Sequence, residues 1–555
     1  MKNHFALFLI TISLSLNAQV PILDSGGPLM PEQAAYDVTF YDLDLSVDPE
    51  GKTIKGTLTL EARFVHPAHY FVLDLDTLLR IDGIQEYKLA NAEAATRPFE
   101  RQTGKIWIDL GMTRQRGEQI RLAIDYQGQP RVAPNPPWDG GFTWAQTPSG
   151  APWIATSCQT NGADLWWPCK DHVSDEPDSM ALHIRVPEPL VVASNGRFQE
   201  RENHDDGTAT YHWFISTPIN IYNVALNIAP YRLIETTRTS SAGDEHPVVF
   251  YVLPEDFEKG EKLFPQFLEH LDFFEKHLGP YPFRADKYGV AQTPHLGMEH
   301  QTIIAYGANF SNGSMTGGVD WGFDALHHHE LAHEWWGNLM TNYDWRDMWL
   351  HEGFGTYMQA LYVEELDGPE RYREYMNRMR FFQNVLAVAP REHRSAAEIY
   401  RAPIYSKGAW ILHTLRFLIG DEAFFRALHR MAYPDPAMEK LTGGEQCRFA
   451  TTADFLSICE QESERELDWF FDLYLRQPAL PTLFSTVEGQ ELSLRWETPE
   501  ELPFPMPVQV ELGGSLIRID IPEEGVVIPL EEGQRPVVDP YRWLLMKITS
   551  EAPER

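Results

Sequence analysis

Two histidines four residues apart, with a glutamate after the first, mark the stretch in which this chain can do chemistry. His329 and His333 fall on one face of an α-helix, because side chains four residues apart lie above one another. Both imidazoles can therefore bind one metal ion. Glu330 leaves the helix about 100° from His329, close to that ion but not needed as a ligand. This H-E-x-x-H arrangement is typical of zinc hydrolases, in which the carboxylate takes a proton from the attacking water.

A third ligand is required, because a catalytic zinc ion usually has three protein ligands and one open position. Glu352, in the stretch W-L-H-E-G-F-G-T-Y, follows His333 with residues 334–351, 18 in all, between them. This separation leaves room for the first helix to end at the next Gly-Asn pair, for a loop, and for a second helix that returns Glu352 to the histidines. We therefore predict one zinc ion per chain, with His329, His333 and Glu352 as its ligands.

Three further stretches carry motifs. They are L-G-M-E-H at 296–300, Y-S-K-G-A at 405–409, and residues 159–177, which contain W-P-C and D-E-P. Together with the zinc motif, their order and spacing resemble the M1 aminopeptidase family of gluzincin peptidases, from about residue 35 to the C-terminus. The resemblance implies a zinc-dependent aminopeptidase that hydrolyses the N-terminal residue from peptides.

The resemblance also assigns roles outside the zinc motif. The first of these stretches is similar to the family's exopeptidase motif, which implies that Gly297, Met298 and Glu299 contact the substrate. A free α-amino group is a cation that needs a carboxylate partner in a mostly buried pocket, and Glu299 is the candidate. Gln159 is expected to hydrogen-bond the same amine. Tyr405 is expected to donate a hydrogen bond to the tetrahedral oxygen, for which a hydroxyl is suited.

Two positions depart from the family pattern. His300 stands where the exopeptidase motif usually ends in asparagine, and Asn161 stands where many members have an acid two residues after the glutamine. We expect His300 to alter the hydrogen bonds around Glu299 without changing the role of that carboxylate. The resemblance implies that Asn161 replaces one carboxylate that faces the substrate amine in those members.

Three classes of function fit these motifs. The first is a zinc aminopeptidase. The second is a related zinc hydrolase of a non-peptide substrate such as a lipid epoxide, which is expected to have a longer and more apolar pocket. The third is a binding protein with a structural zinc ion. The presence of both Glu330 and Tyr405 argues against the third class.

The surrounding segments indicate how these residues are positioned. Residues 19–232 alternate polar and apolar positions in short runs separated by turns, which predicts an antiparallel β domain. Residues 233–480 show strand signals at 248–253 and 287–291 and then mainly helical spacing, including a predicted helix over 369–385. The resemblance implies that the first region is saddle-shaped and that the second is a thermolysin-like catalytic domain.

Residues 481–555 alternate again and predict a small C-terminal β-sandwich. A cluster of prolines over 503–507 marks a loop or an edge within it. The chain stops at Arg555, so the large helical C-terminal domain of many family members is expected to be absent. The predicted fold class is therefore multidomain α+β.

The composition excludes several kinds of partner. Hydrophobic residues make up 43% and charged residues 23% of the 555 residues, as in ordinary globular proteins of two to four domains. The net charge of −34 argues against nucleic acid and anionic membranes, because the field of the protein repels phosphate. The predicted partners are peptides with a free N-terminus.

The first residues predict export. Lys2 and His4 precede an apolar run over 5–16, and Ala18 supplies a small residue for cleavage before Gln19. The run is too short to span a membrane, and no second apolar stretch of spanning length follows. We expect a signal peptide over residues 1–18 and a periplasmic or extracellular mature protein without membrane insertion.

The four cysteines leave two alternatives open. Cys158 with Cys169, and Cys447 with Cys459, are near enough in sequence to pair in an exported protein. Buried free thiols are equally compatible with the sequence.

Overall fold

The computed structural model describes residues 29–88, 93–380 and 383–550. The signal peptide predicted over residues 1–18 lies outside the described residues. The described chain passes from a β-rich N-terminal region, through a sheet and a group of helices that carry the zinc motif, to a second β region.

Three sheets make up the N-terminal region. Its described strands are β1 (Tyr36–Asp48), β2 (Thr53–Phe64), β3 (Ala68–Asp74), β4 (Leu79–Tyr87), β5 (Ala94–Thr96), β6 (Phe99–Gln102), β7 (Lys105–Arg114), β8 (Gln119–Gly128), β9 (Gly141–Gln146), β10 (Pro152–Ser157), β11 (Ser179–Pro187), β12 (Val191–Ser194), β13 (Arg197–Asn203), β14 (Thr208–Ile215) and β15 (Leu226–Ala229). The sheet orders are β13-β14-β11-β1-β2-β8-β4-β5, β12-β15-β10-β9 and β3-β7-β6.

The alternation predicted for this region is present, but one pairing differs from the predicted antiparallel arrangement. In β1, Leu43 and Leu45 are fully buried and alternate with partly exposed neighbours. The strands β1 and β11 run parallel, with Leu43 opposite Leu182. A hairpin forces antiparallel pairing, whereas the long chain segment between these two strands allows the second to return in the same direction.

A five-stranded sheet joins the N-terminal region to the helices. Its strands are β16 (Arg232–Thr239), β17 (Glu245–Val252), β18 (Tyr288–Gln292), β19 (Gly297–Met298) and β20 (Ile304–Tyr306), in the order β16-β17-β18-β20-β19. Strands β17, β18 and β20 are parallel, and the short β19 forms an antiparallel edge. The edge strand β19 therefore carries the Gly297-Met298 pair of the exopeptidase motif.

The two faces of this sheet pack into different cores. Val248, Phe250 and Val252 on β17 belong to the core that contains the helices. Val249 and Tyr251, which point to the opposite face, belong to the core of the N-terminal region. The sheet thus fixes the N-terminal region against the elements that carry the zinc motif.

The helical part provides the remaining scaffold. Its described elements are α1 (Phe257–Leu278), α2 (Ala325–Ala332), β21 (Met340–Asn342), α3 (Trp349–Asp367), α4 (Pro369–Arg378), α5 (Ala396–Ile399), α6 (Ser406–Ile419), α7 (Asp421–Ala432), β22 (Arg448–Ala450), α8 (Thr452–Ser463) and α9 (Asp468–Arg476). The helix predicted over 369–385 ends at Arg378, earlier than expected. The sequence predicted only a loop at β21. The structure pairs β21 in parallel with β22, a strand distant in sequence that provides hydrogen-bond partners for the backbone of β21.

The C-terminal region forms two small sheets that share the core of the helical part. Its described strands are β23 (Thr482–Glu488), β24 (Glu491–Glu497), β25 (Val508–Leu512), β26 (Ser515–Ile519), β27 (Val526–Pro529), β28 (Val537–Val538) and β29 (Lys547–Thr549). The orders are β27-β24-β23-β29 and β26-β25-β28. The proline cluster lies between β24 and β25, outside any strand, as predicted.

All four cysteines are free, and three of them are buried, which settles the two alternatives in favour of thiols. Among the described residues, none of the helices combines the length and the apolar character needed to cross a bilayer.

Candidate active site and metal centre

The helix that carries the two histidines is short. Its N-cap residue Asp324 accepts a hydrogen bond from the backbone N–H of His327, and α2 ends at Ala332 rather than at the predicted Gly-Asn pair. After His333 the backbone makes a wider, π-type turn. The N–H of Asn338 donates to the carbonyl of His333, five residues earlier, at 3.0 Å. His333 nevertheless keeps helical angles, with φ −68° and ψ −18°, so both histidines stay on one face.

The structure brings His329, His333 and Glu352 together in the interior. The two Nε2 atoms are 3.3 Å apart, and Glu352 Oε2 lies 3.4 Å from His329 Nε2 and 3.6 Å from His333 Nε2. Tetrahedral zinc with ligand bonds of about 2.0–2.1 Å separates its ligands by about 3.3–3.4 Å. The three donor atoms therefore already have the spacing that one zinc ion requires.

The hydrogen bonds of the ligands leave the same atoms available for a metal ion. His333 Nδ1 lies 3.0 Å from the carbonyl of Trp336, and the hydroxyl of Tyr400 donates to Glu352 Oε1 at 3.0 Å. Glu352 Oε2 is buried without a hydrogen-bond partner among the described residues. Although burial opposes ionisation, the neighbouring imidazoles of His329 and His333 lower the pKa of Glu352 to about 2. An ionised, buried and unpartnered oxygen fits a cation.

Replacing Glu352 with alanine should lower zinc occupancy, because one of three protein ligands is lost. Metal content after dialysis against a weak chelator measures this effect. Glu365→Ala is the matched control, because Glu365 lies on the same helix, half-exposed, and pairs only with Lys276 and His277 among the described residues. Full occupancy of the Glu352→Ala protein would show that the third ligand lies elsewhere.

A close helix crossing places Tyr405 beside the ligands. A Cβ on Gly408 would lie 2.9 Å from the Cα of Gly353, so only glycine allows α6 to approach α3 this closely. Tyr405, at the N-terminus of α6, stacks against His329 with 6.0 Å between ring centroids. Burial and the charge of Glu352 raise the pKa of Tyr405, which keeps its hydroxyl protonated as a hydrogen-bond donor.

Glu330 lies on α2 against the edge strand of the five-stranded sheet. Burial, followed by the negative charges of Glu299 and Glu352, raises the pKa of Glu330 and so makes its carboxylate more basic. A Cβ on Gly297 would lie 2.5 Å from Glu330 Oε1 and 2.5 Å from a methyl carbon of Leu326. The glycine of the exopeptidase motif thus provides the space that the Glu330 carboxylate occupies.

Replacing Gly297 with alanine should displace the Glu330 carboxylate and lower kcat between about 10-fold and 10²-fold, the range caused by misplacing a reacting group by about 1 Å. Zinc content should stay at the wild-type level, because no ligand is changed. Gly83→Ala is the matched control, since a Cβ there meets no atom within 4 Å. An unchanged kcat for Gly297→Ala would contradict this view of the contact.

Glu299 is held in place near Glu330. Gln159 Nε2 and the hydroxyl of Tyr222 both donate to Glu299 Oε1, the latter at 3.0 Å. A carboxylate oxygen of Glu299, a carboxylate oxygen of Glu330 and a ring nitrogen of His333 lie within 4.8 Å of one another. Burial raises the pKa of Glu299, an effect that His333 partly offsets. A second carboxylate therefore stands within reach of any substrate bound at the zinc ligands.

The two departures from the family pattern have different structural roles. His300 is fully buried, and burial lowers its pKa to about 3, so its ring is neutral and adds no charge beside Glu299. The amide of Asn338 donates to the Glu299 carbonyl at 3.1 Å. Asn161 Oδ1 accepts a hydrogen bond from the N–H of Gly140 at 2.6 Å, so this side chain fixes a neighbouring loop.

The predicted residues line one cleft of about 130 Å³. The lining comprises Pro137, Trp138, Gln159, Thr160, Leu296, Gly297, Met298, Glu299, Met315, His329, Glu330, His333, Glu352, Tyr400 and Tyr405. A second cavity of about 320 Å³ shares Met315, His329 and Tyr405 with this cleft but is not lined by Glu299 or Gln159. The space beside the zinc ligands thus extends in two directions, only one of which contains Glu299.

Sequence reasoning missed Tyr222 and Tyr400. The first donates to Glu299 from 77 residues away, and the second donates to Glu352 from 48 residues away. No local pattern distinguishes them from the other tyrosines, of which the chain has 22.

The comparisons with known proteins match two parts of the chain to family models. Residues 38–222 match the Peptidase M1 N-terminal domain, and residues 266–474 match the Peptidase family M1 domain. Leucine aminopeptidase 2 of Sclerotinia sclerotiorum is 24% identical over 504 residues, which cover 84% of this chain and 78% of that protein. A leukotriene A-4 hydrolase homolog of Botryotinia fuckeliana is 23% identical over 502 residues, or 84% of this chain and 73% of that protein.

A solved structure shows the same fold. It is a mutant M1 zinc metallopeptidase from Deinococcus radiodurans bound to a Tyr-Ser-Ala substrate, with a TM-score of 0.63 and 24% identity. The similarity covers 82% of this chain and 96% of that one.

The His-His-Glu donor set and its spacing define a zinc hydrolase centre, and zinc is the cofactor, as predicted. The two domain matches together span more than half of the chain, which therefore belongs to peptidase family M1. This confirms the family resemblance and the predicted fold class.

Proposed function

We propose that this protein is a zinc aminopeptidase of the EC 3.4.11 type, which hydrolyses the N-terminal residue from peptides. The observation that carries the proposal is the position of Glu299. One of its carboxylate oxygens lies within 4.8 Å of a carboxylate oxygen of Glu330 and of a ring nitrogen of His333. A carboxylate held there by Gln159 and Tyr222 can pair with the α-ammonium of a substrate while its first peptide bond lies at the zinc ligands.

The residues then have distinct tasks. Zinc held by His329, His333 and Glu352 would supply Lewis-acid chemistry that lowers the pKa of water and polarises the scissile carbonyl. Glu330 takes a proton from the attacking water on a carboxylate oxygen and then gives a proton to the leaving amine. The Tyr405 hydroxyl donates a hydrogen bond to the oxygen that becomes negatively charged.

Substrate orientation follows from the two cavities. Glu299 and Gln159 hold the amine in the smaller cleft, and Met298 on the edge strand β19 lies beside them. The remainder of the bound peptide extends into the second cavity, whose lining includes His329 and Tyr405.

The named relatives include aminopeptidases, which supports this proposal. The hydrolysis of a non-peptide substrate, raised as an alternative from the sequence, is less well supported. That reaction requires no carboxylate to pair with an amine, whereas Glu299 is buried and held by two donors in the cleft.

Hydrolysis of a panel of aminoacyl chromogenic amides, with and without a chelator, tests the proposal. We expect hydrolysis that the chelator abolishes and that added zinc restores. Absence of hydrolysis for every amide in the panel, from protein with full zinc occupancy, would contradict aminopeptidase activity.

We also propose export with cleavage near Ala18-Gln19, which rests on the sequence of the first residues. N-terminal sequencing of the protein recovered from the exported fraction tests this proposal. An intact N-terminus or a protein retained in the cytoplasm would contradict it.

A further inference from the structure

The cleft that contains Glu299 has an exposed tryptophan at its wall. The chain has 16 tryptophans, all of them among the described residues, and Trp138 is the exposed one, at 58%. Tryptophan is highly buried on average, and an exposed ring of this size leaves a large apolar area in water. Because the exposed ring lines the substrate cleft, its apolar surface is available to a bound ligand.

Trp138 is one of several apolar residues in the lining of the cleft. Pro137, Leu296 and Met298 line the same cleft, together with the zinc ligands and Glu299. The cleft of about 130 Å³ is comparable with the cavity of about 150 Å³ that holds one benzene ring in an engineered protein. The space suits one large apolar side chain.

The loop that carries Trp138 is fixed although the ring itself is exposed. The hydroxyl of Thr160 donates to the carbonyl of Trp138 at 3.0 Å, and Asn161 Oδ1 accepts from the N–H of Gly140 at 2.6 Å. A Cβ on Gly140 would lie 2.9 Å from the carbonyl oxygen of Ser157, so the loop packs closely against its neighbour. These contacts place the indole next to the loop that carries Gln159.

The position of the amine determines which part of a substrate meets Trp138. The side chain of the first residue is attached to the same carbon as the α-ammonium, and Glu299 and Gln159, which bind that ammonium, line the same cleft as Trp138. The side chain of the first residue therefore lies within this cleft rather than in the second cavity.

We propose that Trp138 is a specificity-determining residue that covers the side chain of the N-terminal residue, and that the preferred substrates are peptides beginning with a large apolar or aromatic residue. Thr160 and Asn161 are positioning residues for this wall. This inference rests on the proposed aminopeptidase function and adds its substrate class.

The test compares kcat/KM for the chromogenic amides of phenylalanine, leucine, alanine and glutamate on four proteins: wild type, Trp138→Ala, Trp138→Phe and Tyr70→Ala. We expect the wild type to prefer phenylalanine and leucine over alanine by roughly 10-fold to 10²-fold, because the larger side chains bury more apolar area. The ratio of phenylalanine to alanine should fall about threefold to tenfold in Trp138→Ala, by the size of a lost aromatic pair. Trp138→Phe should keep most of the ratio.

Ratios measured within one protein do not depend on its active fraction, so partial misfolding cannot mimic the effect. Tyr70→Ala is the control, because Tyr70 is an aromatic residue of the same β region that is 42% exposed and does not line the cleft. Its ratio should equal that of the wild type.

Asn161→Ala tests the positioning role, since it should lower the same ratio without changing zinc content. An unchanged ratio in Trp138→Ala, or a wild-type preference for glutamate or alanine, would overturn the proposal while leaving aminopeptidase function intact. Failure of zinc-loaded wild type to hydrolyse any of the amides would overturn the proposed function and this inference with it.

Discussion

Replacing Glu330 with glutamine should remove nearly all hydrolysis while zinc remains bound. Glutamine has almost the same shape as glutamate but cannot accept and return the proton of the attacking water. General acid–base catalysis contributes typically about 10²–10⁴-fold, so kcat should fall by that range. Zinc should stay, because the three ligands His329, His333 and Glu352 are unchanged and Glu330 is not one of them.

Metal content and turnover should be measured on the same preparation of Glu330→Gln. Glu365→Gln is the matched control, as it makes the same change on a half-exposed part of α3 and should retain wild-type turnover. Loss of zinc from Glu330→Gln would indicate that this residue is a ligand. Turnover near the wild-type level would show that the base is a different group.

The second large effect is expected at Glu299. Removing one partner of a buried charge pair costs about 2–5 kcal/mol or more, and Glu299→Ala would leave the substrate ammonium without its carboxylate. Because each 1.36 kcal/mol is tenfold, kcat/KM should fall roughly 10²-fold or more. Asn161 offers no substitute, since its side-chain oxygen accepts from Gly140.

N-acetylated substrates separate the role of Glu299 from a general loss of activity. Acetylation removes the positive charge, so the wild type should cleave free aminoacyl amides and leave the acetylated ones intact. Equal rates on both substrates with the wild type would contradict the aminopeptidase proposal. A selective wild type together with a fully active Glu299→Ala would show that another group, such as Gln159, binds the amine.

The zinc motif could be predicted because its geometry is local. The spacing of His329, Glu330 and His333 fixes their relative directions as soon as the segment is helical, and the short length of α2 does not alter this. Glu352 was predicted as the third ligand because the 18 residues between His333 and Glu352 leave room for a loop and a second helix. The strand alternation in β1 and the mainly helical character of the chain after residue 291 were likewise predicted, from periods of two and of about 3.6 residues.

Contacts between distant segments could not be predicted in this way. The parallel pairing of β1 with β11 and the pairing of β21 with β22 each depend on a partner strand from elsewhere in the chain. No period in the sequence encodes which segments meet, because that choice is made by packing of the whole core.

The sequence by itself therefore predicted the family, the metal ligands and the residue proposed as the base, since these depend on residue type and local spacing. Only the tertiary structure decided that Tyr400 donates to Glu352 and that Tyr222 and Gln159 share Glu299 Oε1. It also decided that Trp138 stands exposed in the cleft. The three hydrogen bonds join residues 48 to 140 positions apart, and contacts over such separations exist only when folding brings the segments together.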